Sequence, residues 1–210
     1  IQNAGKKMSD IGGKLSMGVT APVLAGMGFA IKAASDLESA MAGVEKTTDL
    51  TASELKQVEL QFREMSKTIP SSAAELAGIA EIAGQLGIEK ENIVDFTRTI
   101  VDLGNATNLV GEEGATQFAR FANITKMSQG DFDRLGSTVV ALGNNYATTE
   151  AEIVEMGMRL AAAGNQAGMS EAEIMALSTT LTSLGINAEA GGSAFSKVIN
   201  QIGLEVDTAG

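Results

Sequence analysis

The chain has 210 residues, with 15 Lys and Arg against 26 Asp and Glu, no Cys, no His, no Trp and a single Tyr. The lack of Cys and His excludes disulfides, Cys- or His-ligated metals, Cys nucleophiles and any catalytic triad that depends on a His base. The net charge of −11 comes entirely from residues 51–210, so we expect no sequence-specific nucleic-acid binding by the main body.

We expect the chain to be a fragment of a longer polypeptide, because it begins at Ile1 rather than at Met and stops at Gly210 within a helical pattern. Its most apolar stretch, Leu15 to Ile31, carries no charge and is rich in Gly and Ala. The 17 residues of this stretch lie at the lower limit for a membrane span. A tightly packed helix is the preferred interpretation, and membrane contact is the alternative.

Residues 1–46 are predicted to form an N-terminal helical arm that contains one longer helix over residues 21–46. Thr20 is a candidate cap for this helix, and Pro22 lies in its first turn. Because small residues let helices pack closely, we expect the arm to associate with other copies or with membrane. The alternative is that it covers the first repeat as a cap. The candidate association face consists of Val19, Val23, Leu24, Gly26, Met27, Gly28, Phe29 and Ile31.

An internal repeat divides residues 47–210 into four predicted helical hairpins with a period of about 40 residues. In each hairpin the apolar residues are spaced so that they share one face of a helix. The sets for the first helices are Leu55-Val58-Phe62-Met65, Ile93-Phe96-Ile100-Leu103, Phe132-Leu135-Val139-Leu142 and Ile174-Leu177-Leu181-Leu184. The sets for the second helices are Leu76-Ile79-Ala80-Ala83, Ala115-Phe118-Ala119-Ala122, Ile153-Met156-Gly157-Leu160 and Phe195-Val198-Ile199-Ile202.

Capping signals agree with this periodicity. Capping boxes occur at Thr51-x-x-Glu54, Ser72-x-x-Glu75, Thr149-x-x-Glu152 and Ser170-x-x-Glu173, with Ser128-x-x-Asp131 as a shorter relative. Helix ends are predicted at Pro70, Leu103-Gly104, Leu142-Gly143 and Leu184-Gly185. Eight helices are therefore predicted, starting near Thr51, Ser72, Glu89, Glu112, Ser128, Thr149, Ser170 and Ala190. The predicted fold is all-α, an α-solenoid-like stack of tandem hairpins, with a compact bundle as the alternative.

No residue pattern supports a catalytic, cofactor or metal site. Gly26-Met27-Gly28 lacks the third glycine and the preceding strand of a dinucleotide-binding loop. The acidic pairs Glu112-Glu113 and Asp131-x-Asp133 are better explained by their places in the first turns and caps of helices. Met65 and Met156 fall within the apolar sets, so we expect the methionines to fill the core.

Three stretches together resemble the core region of phage tail tape-measure (minor tail) proteins. They are Gly13-Lys14-Leu15-Ser16 with Val19-Thr20-Ala21-Pro22 and Asp36-Leu37-Glu38-Ser39-Ala40-Met41; Leu86-Gly87-Ile88 with Ala106-Thr107; and Ala167-Gly168-Met169-Ser170 with the run from Leu184 to Phe195. Two positions depart from the family pattern. Leu37 stands where an aromatic residue is usual, and Gly192-Ser193 replaces the commoner Gly-Thr.

The resemblance implies a structural, non-enzymatic protein that occupies the tail lumen and sets tail length through its own chain length. The implied partners are tail tube and tail-tip proteins, tail assembly chaperones, other copies of itself and, during ejection, the host membrane. The implied locations are the virion tail lumen and, during assembly, the host cytoplasm. The alternatives are a helical-repeat module of a non-viral or prophage-derived protein that binds a partner peptide, and an enzyme such as a cell-wall hydrolase.

Overall fold

A computed structural model describes residues 21–109 and 111–209, and side chains within 30–109 and 111–202. These residues form nine α-helices and two short 3-10 turns, Lys90–Asn92 and Gln129–Asp131, and contain no strand. The predicted all-α class is confirmed. The helices are α1 (Ala21–Thr47), α2 (Ala52–Met65), α3 (Ala73–Gln85), α4 (Ile93–Ala106), α5 (Gly111–Thr125), α6 (Phe132–Asn145), α7 (Glu150–Gln166), α8 (Glu171–Ser183) and α9 (Ala188–Ala209).

The predicted helix starts agree with the structure. Four helices begin with complete capping boxes, in which the hydroxyl accepts from a backbone N–H and the Glu accepts from the backbone of the cap residue. The cap residues of these boxes are Thr51, Ser72, Thr149 and Ser170. The other four starts lie close to the predicted residues, with α4 and α6 each preceded by a 3-10 turn.

The prediction that Ser128 and Asp131 form a cap is wrong. The Ser128 side chain makes no capping hydrogen bond, because a 3-10 turn lies between it and α6. This turn makes Asp131 the N-cap residue of α6, although its side chain makes no capping hydrogen bond there either. The Asp131 carboxylate instead pairs with the guanidinium of Arg134 at 3.0 Å.

Helix ends were predicted less well than helix starts. The end at Leu184-Gly185 is confirmed, since Gly185 has a φ of +76° and the next N–H reaches back to the carbonyl of Leu181. Helices α4 and α6, however, continue beyond Leu103-Gly104 and Leu142-Gly143 to Ala106 and Asn145. Gly104 instead lies in a close contact, since a Cβ there would lie 3.2 Å from the carbonyl oxygen of Leu109.

The helices pack in two rows. One row contains α1, α3, α5, α7 and α9 in chain order, and the other contains α2, α4, α6 and α8. Among the described residues, substantial packing occurs only between helices one or two places apart along the chain. The predicted pairing of α8 with α9 is not part of this packing, since α9 packs chiefly on α7. The choice between a solenoid and a compact bundle stays a prediction.

Polar contacts between distant parts of the described chain all span about one predicted repeat. Seven side-chain hydrogen bonds join residues far apart in sequence, with separations of 36 to 43 residues. In the row of α3, α5 and α7, the amides of Asn123 and Asn165 donate to the carbonyls of Leu86 and Ile124, at 2.7 and 3.1 Å. Each repeat is therefore linked by hydrogen bonds to its neighbour.

The core follows most of the predicted apolar sets. Phe62, Phe96, Phe132 and Leu181 are buried as predicted, and the rings of Phe96 and Phe132 meet edge to face with centroids 4.6 Å apart. Leu184 was wrongly placed in the core. It lies just past the end of α8, and 73% of it is exposed. Met65 and Met156 are buried, which confirms their predicted role in the core.

One corner of the first repeat carries a network around the Glu54 carboxylate. The ammonium of Lys90 donates to its Oε1 at 2.8 Å, and the backbone N–H of Thr51 donates to its Oε2 at 2.8 Å. These bonds, with the Lys90 contact the largest effect, lower the pKa of Glu54 from its ordinary value of 4.5 to about 2. Thus the start of α2 is joined through an ionised carboxylate to the 3-10 turn that precedes α4.

Replacing Leu181 by Ala should lower the free energy of unfolding by about 2–5 kcal/mol, because it removes buried methyl groups and leaves a cavity. Leu184→Ala is the matched control, with the same chemical change three residues away on an exposed side chain, and its effect should stay within about 0.5 kcal/mol. Urea denaturation of both variants measures the difference. Equal effects would contradict this assignment of the core.

Glu54→Gln should destabilise the protein at neutral pH, and the difference from the unaltered chain should shrink as the pH falls from about 4.5 towards 2. The pKa of Glu54 is lower in the folded state, so its contribution is present above the unfolded pKa and is lost on protonation. Melting temperatures measured across this range test the effect, with exposed Glu38→Gln as the control for losing one carboxylate. A difference that does not change with pH would show that the network is not stabilising.

Candidate interaction surfaces

The predicted association face lies on the N-terminal half of α1. Val23, Leu24, Gly26, Met27, Gly28 and Phe29 belong to this helix, Val19 lies outside the described residues, and the side chains before Ala30 are likewise not described. Ile31 is 67% exposed, and all residues from Ala30 to Asp36 are exposed. This part of the predicted face is therefore accessible.

The C-terminal half of α1 has a different environment. Leu37, Met41 and Val44 are buried, and α1 packs closely against α3. From Leu37 onward the apolar side of the arm therefore has a partner within the chain. Glycine makes the contact possible, since a Cβ on Gly84 would lie 2.7 Å from the carbonyl oxygen of Thr47. Within the described residues, this half of the helix caps the first repeat.

The outer side of α9 is a second exposed apolar surface. The apolar set of this helix was predicted to be core, but Val198 and Ile202 are 51% and 59% exposed. In α3, α5 and α7 the corresponding residues are buried, because each of these helices lies between two neighbours in its row. Helix α9 has α7 on one side and no described helix on the other. Ala190 and Ala194 continue the stripe at helical spacing, and both are exposed.

A groove of about 670 Å³ lies between α1, α3, the end of α4 and the start of α5. Its floor is apolar and includes Ile79, Ile100 and Leu109, which are themselves buried. No prediction from the sequence included this groove, because its residues come from four helices and the connection after α4. The described residues that line the groove are Asp36, Ala40, Ser71, Ala74, Glu75, Gly78, Ile79, Ile100, Val101, Gly104, Asn105, Thr107, Asn108, Leu109, Gly111 and Glu112.

The rim of the groove is acidic. Asp36, Glu75 and Glu112 contribute three carboxylates, and the described lining contains no Lys or Arg. Two of these carboxylates also serve their own helices, since Glu75 completes the cap at Ser72 and Glu112 lies in the first turn of α5. Asp36 and Glu112 are exposed and make no ion pair among the described residues. The groove therefore combines an apolar floor with negative charge at its edge.

The carboxylates whose pKa is lowered have structural roles. Hydrogen bonds from Thr149 lower the pKa of Glu152, and hydrogen bonds from Ser170 lower that of Glu173, as expected for capping groups. Asp131 and Glu112, which were considered as parts of acid–base pairs, occupy helix starts. The described residues contain no cluster of acidic side chains suited to a metal ion. Among the same residues, no helix is both long enough and apolar enough to cross a membrane.

Comparison with known protein families gives a match over most of the chain. The family model for the phage-related minor tail protein matches residues 59–209, which is more than half of the chain. The match includes every helix from α3 onward and begins within α2. Searches of curated proteins and of solved structures found no match.

The contact between α1 and α3 can be tested with two glycines of α3. Gly→Ala within a helix ordinarily stabilises by about 0.5–1 kcal/mol, and Gly78→Ala should do so because its nearest neighbour would lie 3.9 Å from the new Cβ. Gly84→Ala should instead lower the free energy of unfolding, because the Thr47 backbone blocks the methyl group. Urea denaturation of both variants shows whether each substitution raises or lowers the free energy of unfolding. Stabilisation by Gly84→Ala would contradict the close contact.

Proposed function

We propose that this chain, which belongs to the phage-related minor tail protein family and has a structural role in the phage tail, is part of the tape-measure protein. In this role it lies in the tail lumen and sets tail length. The observation that supports this proposal is the one-dimensional order of the contacts. All long-range hydrogen bonds of the described residues span about one predicted repeat, as expected of a solenoid, whose extent is proportional to its number of repeats. A protein that measures length needs this proportionality.

The negative charge of the chain supports a location in the tail lumen, through which the phage DNA passes. Residues 51–210 carry 10 Lys and Arg against 21 Asp and Glu, so this part of the protein repels phosphate and would not retain the genome as it leaves. The proposed partners are tail tube and tail-tip proteins, assembly chaperones and further copies of the chain. We place the protein in the host cytoplasm during assembly, and the proposed role requires no catalytic group.

The exposed N-terminal half of α1 is the proposed site of association with other copies or with the host membrane during ejection. Its accessible surface around Ile31 supports this assignment. The packed half of the helix, from Leu37 onward, fixes the site to the first repeat, so an associated arm would remain rigidly connected to the stack.

A helical-repeat module that binds a partner peptide is the second candidate function. The groove beside α1 favours it, because an apolar floor with a charged rim is typical of peptide-binding surfaces. In this case the number of repeats would have no bearing on tail length.

Deleting residues 93–173 from the full-length gene tests the proposal. This change joins two apolar sets in register, at Ile93 and Ile174, and should shorten the tails seen by electron microscopy. The expected shortening ranges from about 20 Å, if the lost repeats form stacked layers, to about 120 Å, if they lie in the tail as a continuous helix.

Duplicating the same segment is the matched control, and it should lengthen tails by the same amount. Tails of unchanged length from both variants, with normal numbers of particles, would rule out the measuring role for this region.

A further inference from the structure

The contrast in net charge between the two parts of this chain is larger when the sequence is divided at Asp36 than when it is divided after residue 50. Residues 1–35 carry four Lys and one Asp, whereas residues 36–210 carry 11 Lys and Arg against 25 Asp and Glu. A cationic N-terminal segment is thus attached to a strongly acidic remainder. The groove beside α1 lies at this division, because Asp36 is both the first acidic residue after the cationic segment and part of the rim.

The composition of the cationic segment matches the groove. Residues 1–20 contain three lysines and a single Asp, which give a formal charge of +2. Four large apolar side chains lie among and after these lysines in the series Lys6, Lys7, Met8, Ile11, Lys14, Leu15 and Met17. Apolar anchors flanked by cations complement an apolar floor with an acidic rim in both hydrophobicity and charge.

We propose that residues 1–20 of one copy dock in this groove of a second copy. The proposal rests on the proposed self-association of the arm and identifies the surface that receives it. Helix α1 runs unbroken from Ala21 past Asp36, which places Ala21 about 22 Å along the helix axis from the rim. The segment would have to reverse along α1 to reach its own groove, whereas a segment from a second copy enters the open groove without this reversal.

Charge reversal at the rim tests the docking in the full 210-residue chain. Asp36→Lys combined with Glu112→Lys removes two rim carboxylates that serve no complete capping box. The matched control is Glu38→Lys with Glu113→Lys, which makes the same charge changes on α1 and in the first turn of α5, outside the groove. Sedimentation equilibrium at low ionic strength should show that the unaltered chain and the control associate. The rim variant should associate about tenfold more weakly, because two attractive pairs become repulsive.

A complementary variant, Lys6→Glu with Lys14→Glu, supplies the second half of the test. Alone it should associate as weakly as the rim variant. Mixed with the rim variant it should associate again, because the reversed segment then faces a reversed rim. Recovery on mixing requires the segment and the groove to come from different copies.

Three results would overturn the docking proposal: equal association of the rim variant and the unaltered chain, equal weakening of the rim and control variants, or no recovery on mixing. A monomeric unaltered chain would also overturn it. The variant Ile31→Lys distinguishes docking in the groove from association through the exposed half of α1. If that variant alone is monomeric, the exposed face of α1 mediates association and the groove does not. The tail-length experiment is independent of all these outcomes.

Discussion

The packing of each helix on the helix one repeat away is the interaction on which the rest of the structure depends. The helices of the repeats are short, and a single pair cannot bury its apolar faces alone. Phe96 of α4 meets Phe132 of α6 in one row, while small buried residues such as Ala80, Ala119 and Gly157 let helices approach in the other. The polar contacts between distant residues follow the same order, because each spans about one predicted repeat.

Local sequence predicted the helix starts and most of the core, because both depend on patterns within one helix. A cap such as Thr51 with Glu54 needs only four consecutive residues, and an apolar set needs eleven at most. The ends of the helices are not determined by such short sequence patterns alone. Leu103-Gly104 and Leu184-Gly185 are the same dipeptide, yet Gly185 ends α8 while Gly104 stays inside α4. Gly185 has a φ of +76°, whereas Gly104 stays helical beside the Leu109 carbonyl in the connection after α4, so the dipeptide alone does not determine where a helix ends.

For the candidate surfaces too, local sequence predicted some features, while others depend on how the helices pack. Composition identified the arm, but it did not reveal that α1 changes from exposed to buried at Leu37, because this change depends on where α3 lies. The groove was beyond sequence reasoning altogether. Glu75 and Glu112 have sufficient local explanations as first-turn carboxylates, and only the fold places them beside Asp36 around one apolar floor. The same side chains thus stabilise their helices and set the charge of a surface.

The two ends of the described stack are chemically different. The outward residues of the packed half of α1 include the exposed carboxylates Glu38 and Glu45, whereas the outward side of α9 presents Val198 and Ile202. An apolar face does not match a charged one, so direct end-to-end contact between these surfaces would bury unpaired carboxylates at a cost. The groove opens between α1, α3 and the start of α5, apart from the stripe on α9. Association through that groove would leave the apolar stripe on α9 uncovered, so the two surfaces can act independently.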